Sequence, residues 1–293
     1  MAKILGRIPL SERVRQLDRV YGAAERAIIK ELALMDIGNY QELRAVKTQE
    51  KIDGIIKMLN TAAIKWTKKA VPEAYVKAEA IARTRLEILG ATKSDEFPEK
   101  THSQTIDEEI DTTMEVLIKA NLSIRLNVAT FLYLAKQAAT GLSQLQAFDM
   151  RDEEFIDDLI GETLRKGGTR GEASKIIREY FREQFGEAKF ININGRNYNL
   201  RKYADGVAKT RLRVVQTDAV LNSCKEYEND LVQVSDHGTS TPICIPYEGN
   251  VYSLSGKHPV YPYLDAYTPF HFRCQHNIMP TSEVVLEARE IWG

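Results

Sequence analysis

Apolar positions recur at helical spacing through the first half of the chain. Val14, Leu17, Val20/Tyr21, Ala24 and Ile28 follow Ser11, a residue type suited to capping, and together predict a helix over 10–35. Ile52, Ile55, Ile56, Leu59, Ala63 and Trp66 carry the same period and predict a second helix over 40–70, set apart by Gly38-Asn39. Pro72 stands where a first-turn proline would open a third helix running to Leu89-Gly90. Residues 91–104 are polar, contain Pro98 and show no period, so they read as a loop. Thr105-Ile106-Asp107-Glu108 has the form of a capping box and predicts a long helix to about Ala139, closed by Gly141. The acidic residues in its first turns suit the positive end of the helix dipole. Two more helices are predicted, over 151–166 and, after Gly167-Gly168 and a second capping box at Thr169–Glu172, to Phe185.

The period changes at Phe190. Phe190-Ile191-Asn192-Ile193 alternates, Asn194-Gly195 follows, and Arg196-Asn197-Tyr198-Asn199 completes a predicted hairpin. A helix over 200–226 then leads into a strand at Leu231–Ser235. From there to Pro280 the chain is rich in Gly, Pro, Tyr and His, with a short strand at Asn250–Leu254; residues 282–291 read as a terminal helix. The expected class is α+β, predominantly helical. An elongated helical domain over 1–150 is expected to precede a mixed domain over 151–293 that holds a β-hairpin, a long helix and short strands.

Composition narrows the function classes. Of the 293 residues 43% are hydrophobic and 28% charged, which is enough apolar surface for a core and excludes disorder as the default. The formal net charge of -1 excludes a surface that coats nucleic acid throughout. The charge is unevenly spread: residues 1–90 are net +6, 91–166 net -7 and 167–293 neutral. Solvated helix faces explain this most simply; a DNA-facing first segment, with Lys65, Lys68 and Lys69 touching phosphate, is the sharper reading. No apolar run approaches the roughly 20 residues of a membrane span, so no membrane partner is expected. The opening residues lack the apolar stretch of an export signal, so the cysteines are expected to be made in a reducing cytosol.

All three cysteines and four of the five histidines lie after residue 223. Thiolate and imidazole are the donors zinc prefers. His271 and Cys274 can supply one half of a tetrahedral site, His237 and Cys244 the other. The spacing is not that of a standard zinc finger, and the alternative is that these residues pack or hydrogen-bond in a loop-rich fold. The tyrosines of this region can stack on bases, but at this density they more often pack a small domain. Catalytic signatures are missing: there is no His-x-Glu with Cys-x-x-Cys, no His-Glu-x-x-His, no phosphate-binding glycine loop and no Gly-x-Ser-x-Gly. The enzymatic alternatives that remain are a Cys–His nucleophile at Cys244 or Cys274 and a metal-dependent nuclease using Asp236, His237 and His271.

The same residues carry a family resemblance. Val232-Gln233-Val234-Ser235-Asp236-His237, Pro242-Ile243-Cys244, Tyr247–Leu254 and Pro269-Phe270-His271-Phe272-Arg273-Cys274-Gln275-His276 resemble, in order and chemistry, the C-terminal signature of Mu-F-like phage minor head proteins. The resemblance runs from the helix containing Ala208–Arg211 through Pro280. Thr268 and Phe272 stand where the signature has prolines, and Gln275 where it has arginine. The resemblance implies a structural, non-enzymatic protein carried in few copies inside the capsid at the portal vertex. Its implied partners are the portal protein, the major capsid or scaffolding protein and packaged DNA. It implies a part in head assembly and in DNA packaging, retention or ejection, with the host cytoplasm as the place of assembly. A metal-dependent nuclease or a DNA-binding protein is the alternative.

Overall fold

The computed structural model describes residues 11–33, 42–140, 191–193 and 196–286. Four helices dominate: α1 (Ser11–Ala33), α2 (Glu42–Ile88), α3 (Thr101–Thr140) and α4 (Leu200–Glu226). Strands β1 (Ile191–Ile193) and β2 (Arg196–Tyr198) pair antiparallel ahead of α4. Strands β3 (Leu231–Val234), β4 (Val251–Ser253) and β5 (Ile278–Pro280) form a second antiparallel sheet in the order β4-β3-β5. The class is α+β and predominantly helical, as the periodicity predicts. Among the described residues no helix is long and apolar enough to cross a membrane.

The helix over 10–35, the hairpin, the helix over 200–226 and the strands near 231 and 251 appear where the pattern places them. Two helix starts do not. Pro72 opens no third helix; it lies inside α2, which runs unbroken for 47 residues. Ala70, Val71, Ala74, Tyr75 and Ala78 are buried on both sides of it, so packing of one continuous face outweighs the backbone hydrogen bond that proline cannot donate. The partner left without that bond is the carbonyl of Lys68, an exposed residue that water can serve. Likewise Thr105–Glu108 is not the start of α3, which begins four residues earlier at Thr101, where the Thr101 amide donates to the Pro98 carbonyl (3.0 Å). Thr105 Oγ1 instead donates back to the Thr101 carbonyl at 2.9 Å. The predicted helices over 151–166 and 169–185, the Gly141 stop and the expected boundary near 150 lie outside the described residues.

The chain divides into two compact units, and all four helices contribute to both. One unit comprises 18–63 and 117–204. Its core is built from Tyr21, Ile28, Ile52, Leu59, Leu117, Ile124 and Leu200, all at most 2% exposed. Lys51 pairs with Glu31 at 2.8 Å, Arg125 with Asp53 at 2.8 Å and Arg201 with Asp18 at 2.8 Å on its surface.

The other unit comprises 1–17, 64–116 and 205–293 and carries the three-stranded sheet. Val220 and Cys224 of α4 and Ala82 of α2 pack with Val232, Val234, Tyr252, Leu264, Ile278 and Met279 in one apolar cluster. Cys224 is a fully buried thiol, pushed up to about 12 by that burial, and behaves as a small hydrophobe. Burial on one face of α4 therefore fixes where the sheet sits.

The polar counterpart of that core is Glu226, the last residue of α4, whose side chain is only 2% exposed. Arg83 Nη2 lies 3.0 Å from its carboxylate, Lys93 Nζ 2.7 Å and His102 Nε2 3.4 Å. One turn back, Asn222 donates to Tyr75 Oη (2.9 Å) and to Thr105 Oγ1 (3.0 Å), and Tyr75 Oη meets His102 Nδ1 at 2.8 Å. The Ser94 amide donates to the Glu226 carbonyl at 2.7 Å. One end of α4 thus holds α2, the 89–100 loop and the start of α3 together. Burial alone would raise the Glu226 pKa, but the hydrogen bonds and charges of Lys93 and Arg83 outweigh it and hold the carboxyl below its ordinary range.

A lowered folded-state pKa means that this carboxylate stabilises the fold fully above the ordinary glutamate pKa and progressively less as pH falls through the folded value. Glu226→Gln is therefore expected to cost about 2 kcal/mol at neutral pH, less than a fully buried pair because Arg83 and Lys93 are partly exposed. Urea unfolding at several pH values checks this: the gap between wild type and variant should hold near pH 7 and shrink below pH ~4. A pH-independent gap would show that the charge is not what matters.

Candidate functional site

Of the cysteines and histidines singled out in the sequence, Cys244 and Cys274 come together in the connections of the β4-β3-β5 sheet, joined by His276 and not by the predicted His237 and His271. Cys244 lies in the segment joining β3 to β4. Cys274 and His276 lie just before β5, two residues apart, so that in extended chain their side chains point the same way. Cys244 Sγ is 4.0 Å from Cys274 Sγ, and Cys274 Sγ is 3.3 Å from His276 Nδ1. All three residues are buried, and among the described residues they form a group whose donor atoms lie within 4.8 Å of one another, close enough to hold a metal ion.

His237 and His271 are not members of that group. His237 lies beside it, its ring centroid 5.0 Å from that of His276, and its Nε2 meets Ser235 Oγ at 2.9 Å. His271 is turned to its own loop, with Nδ1 2.9 Å from the Phe272 carbonyl. Asp236 is exposed and accepts the Gly238 amide at 3.0 Å. Lys65, Lys68 and Lys69 are exposed on α2. The residue that the sequence reading left out is His276, and Cys-x-His leading into a strand is the signal that could have found it.

Behind His276 stands Glu248, which sequence reasoning also missed. His276 Nε2 is 3.0 Å from Glu248 Oε1. The same oxygen accepts the His237 amide, and Oε2 accepts the Thr239 amide at 2.8 Å. Burial works against the Glu248 charge, yet these donors prevail and hold its pKa below the ordinary range. Both carboxylate oxygens are thus committed. The 236–239 turn, with Gly238 at φ +64°, is wrapped onto this carboxylate.

The two thiols differ. Burial, with Cys274 beside it, pushes Cys244 up to about 11. Burial would raise Cys274 as well, but hydrogen bonds from His276 reverse the balance and bring it to about 7. Contact with Cys274, together with Glu248, raises the His276 pKa. Two thiols, an imidazole and an oriented carboxylate make a soft-donor centre.

The loop that delivers Cys274 is held from α4. The Cys274 amide donates to the His271 carbonyl at 3.0 Å, closing a turn in which Arg273 takes φ +66°, unusual for a residue with a side chain. The Arg273 amide donates to Thr210 Oγ1 at 2.8 Å and its guanidinium pairs with Asp205 at 2.7 Å. Gly206 lies under the same loop: a Cβ there would come within 2.3 Å of the Phe272 ring. This turn also explains why His271 and Cys274, three apart, do not act as a pair.

With this geometry in place, the family model for phage minor capsid protein 2 matches residues 14–285, and the chain belongs to that family. No curated protein and no solved structure matches it.

Gly206→Ala should therefore displace the 271–274 turn and destabilise the protein by about 1–3 kcal/mol, the usual range for overpacking. The expected readout is a lowered melting temperature with chemical-shift or hydrogen-exchange changes centred on 271–276. An unperturbed 271–276 segment would contradict the close approach of α4 to this turn.

Proposed function

We propose that this chain is an internal head protein, carried in few copies at the portal vertex, that binds the portal and assists head assembly and the packaging, retention or ejection of DNA. Membership of the phage minor capsid protein 2 family over nearly the whole described chain carries this reading. That family points to a structural role in the phage head, within the virion and in contact with other head components, rather than to catalysis. The Mu-F-like motifs between Val232 and His276 support the more specific relationship and, through it, the portal, major capsid and scaffolding proteins as partners. In this reading the Cys/His cluster is structural, zinc being the ion its donors suit, and Lys65, Lys68 and Lys69 face packaged DNA or an acidic partner.

Co-expression with the portal, scaffolding and major capsid proteins of the same phage tests the reading. The chain is expected to co-elute with the portal oligomer and to be carried into procapsids. The association with DNA should weaken steeply with salt, and more so when Lys65, Lys68 and Lys69 are replaced by Glu. A chain that remains free of the portal and is left out of procapsids would overturn the proposal.

A further inference from the structure

We infer that Cys244 Sγ, Cys274 Sγ and His276 Nδ1 bind one zinc-class divalent ion, with Glu248 fixing the histidine from behind. The inference concerns the chemistry of this centre and holds whether or not the chain docks on a portal.

Geometry is the first support. With zinc–sulphur bonds of about 2.3 Å and zinc–nitrogen bonds of about 2.0–2.1 Å, two thiolates on a tetrahedral ion lie about 3.8 Å apart, and a thiolate and an imidazole nitrogen about 3.6 Å. The corresponding edges here are 4.0 Å and 3.3 Å, and the third is within 4.8 Å. The first two edges differ from the tetrahedral values by only a few tenths of an ångström.

The second support is independent of those edges. A metal-bound histidine presents one ring nitrogen to the ion and donates the other N–H to a carboxylate or carbonyl, which sets tautomer and ring orientation. His276 is built this way: Nε2 is on Glu248, which leaves Nδ1 directed to the thiols. Glu248 is itself immobilised by the His237 and Thr239 amides, so it serves as the acceptor behind the histidine and not as a ligand. A simple buried thiol–histidine hydrogen bond requires no such support.

The third support is position. Cys244 belongs to the β3–β4 connection, and Cys274 and His276 to the long β4–β5 connection. The strands they join are only three or four residues long, so strand pairing fixes little of those connections. An ion shared by the two connections closes them onto the sheet. Soft thiolate donors favour zinc over magnesium or calcium, whose sites are built from oxygen.

The test uses the full-length chain, purified under reducing conditions and titrated with Co(II) and then Zn(II). One equivalent of Co(II) should bind with thiolate-to-metal charge transfer and the intense visible bands of a tetrahedral site, and zinc should displace it and raise the melting temperature. Cys244→Ser, Cys274→Ser and His276→Ala should each abolish or alter the spectrum, whereas His271→Ala should leave it unchanged. Glu248→Gln should retain the thiolate bands while weakening affinity by about 10–100-fold, a result that also separates ligand loss from misfolding. Absence of stoichiometric binding to folded wild-type protein, a spectrum without thiolate bands, or a Cys244–Cys274 disulfide in freshly made protein would overturn the assignment. So would loss of binding in His271→Ala with retention in His276→Ala.

Discussion

A carboxylate buried to 2% exposure must be compensated where it stands, and Glu226 imposes that demand at the end of α4. Meeting it brings Arg83 from α2, Lys93 from the loop and His102 from the first turn of α3 to one point. Asn222 and Tyr75 extend the same junction by hydrogen bonds. Immediately beyond it the chain leaves the helix through Glu228 at φ +48°, a conformation that ends α4 and turns it into β3. The sheet then follows: β3 is its central strand, and β4 and β5 pair on either side. The ion-pair junction and the apolar face of Val220 and Cys224 act together, one setting direction and the other depth.

From that frame the Cys/His centre is reached in two ways. The sheet delivers Cys244 and His276 through its connections, and α4 holds the turn before Cys274 by way of Thr210, Asp205 and the missing side chain at Gly206. The same helix therefore anchors both the hydrophobic core and the approach to the centre.

Much of this was legible in the residues. Helical spacing located α1, Asn194-Gly195 marked the hairpin, and the Val-rich run at 231 marked β3. Local rules failed where tertiary packing competed with them. Pro72 carries a start signal, but the buried face on both sides of it keeps α2 continuous. Thr105 carries a capping signal, but its hydroxyl is spent inside α3. Strand β5 is three residues long and ends in proline, so it has no period to read. The cysteines at 244 and 274 were visible as chemistry, but their partner was not. The expected donor pair was His271 with Cys274, and only the turn at Arg273 reveals that the chain runs extended from Cys274 onward, which brings His276 and not His271 to the thiols. Glu248 was invisible because its role comes from backbone amides that no sequence pattern marks.

The account makes the chain a structural part of the phage head, and the most direct measurement is quantitative mass spectrometry of purified, nuclease-treated virions of the phage that encodes it. The account predicts the chain in every preparation at a few copies per particle, far below the major capsid protein and protected from added protease until the heads are opened. Its absence from infectious particles assembled in cells that make it in quantity would contradict the account.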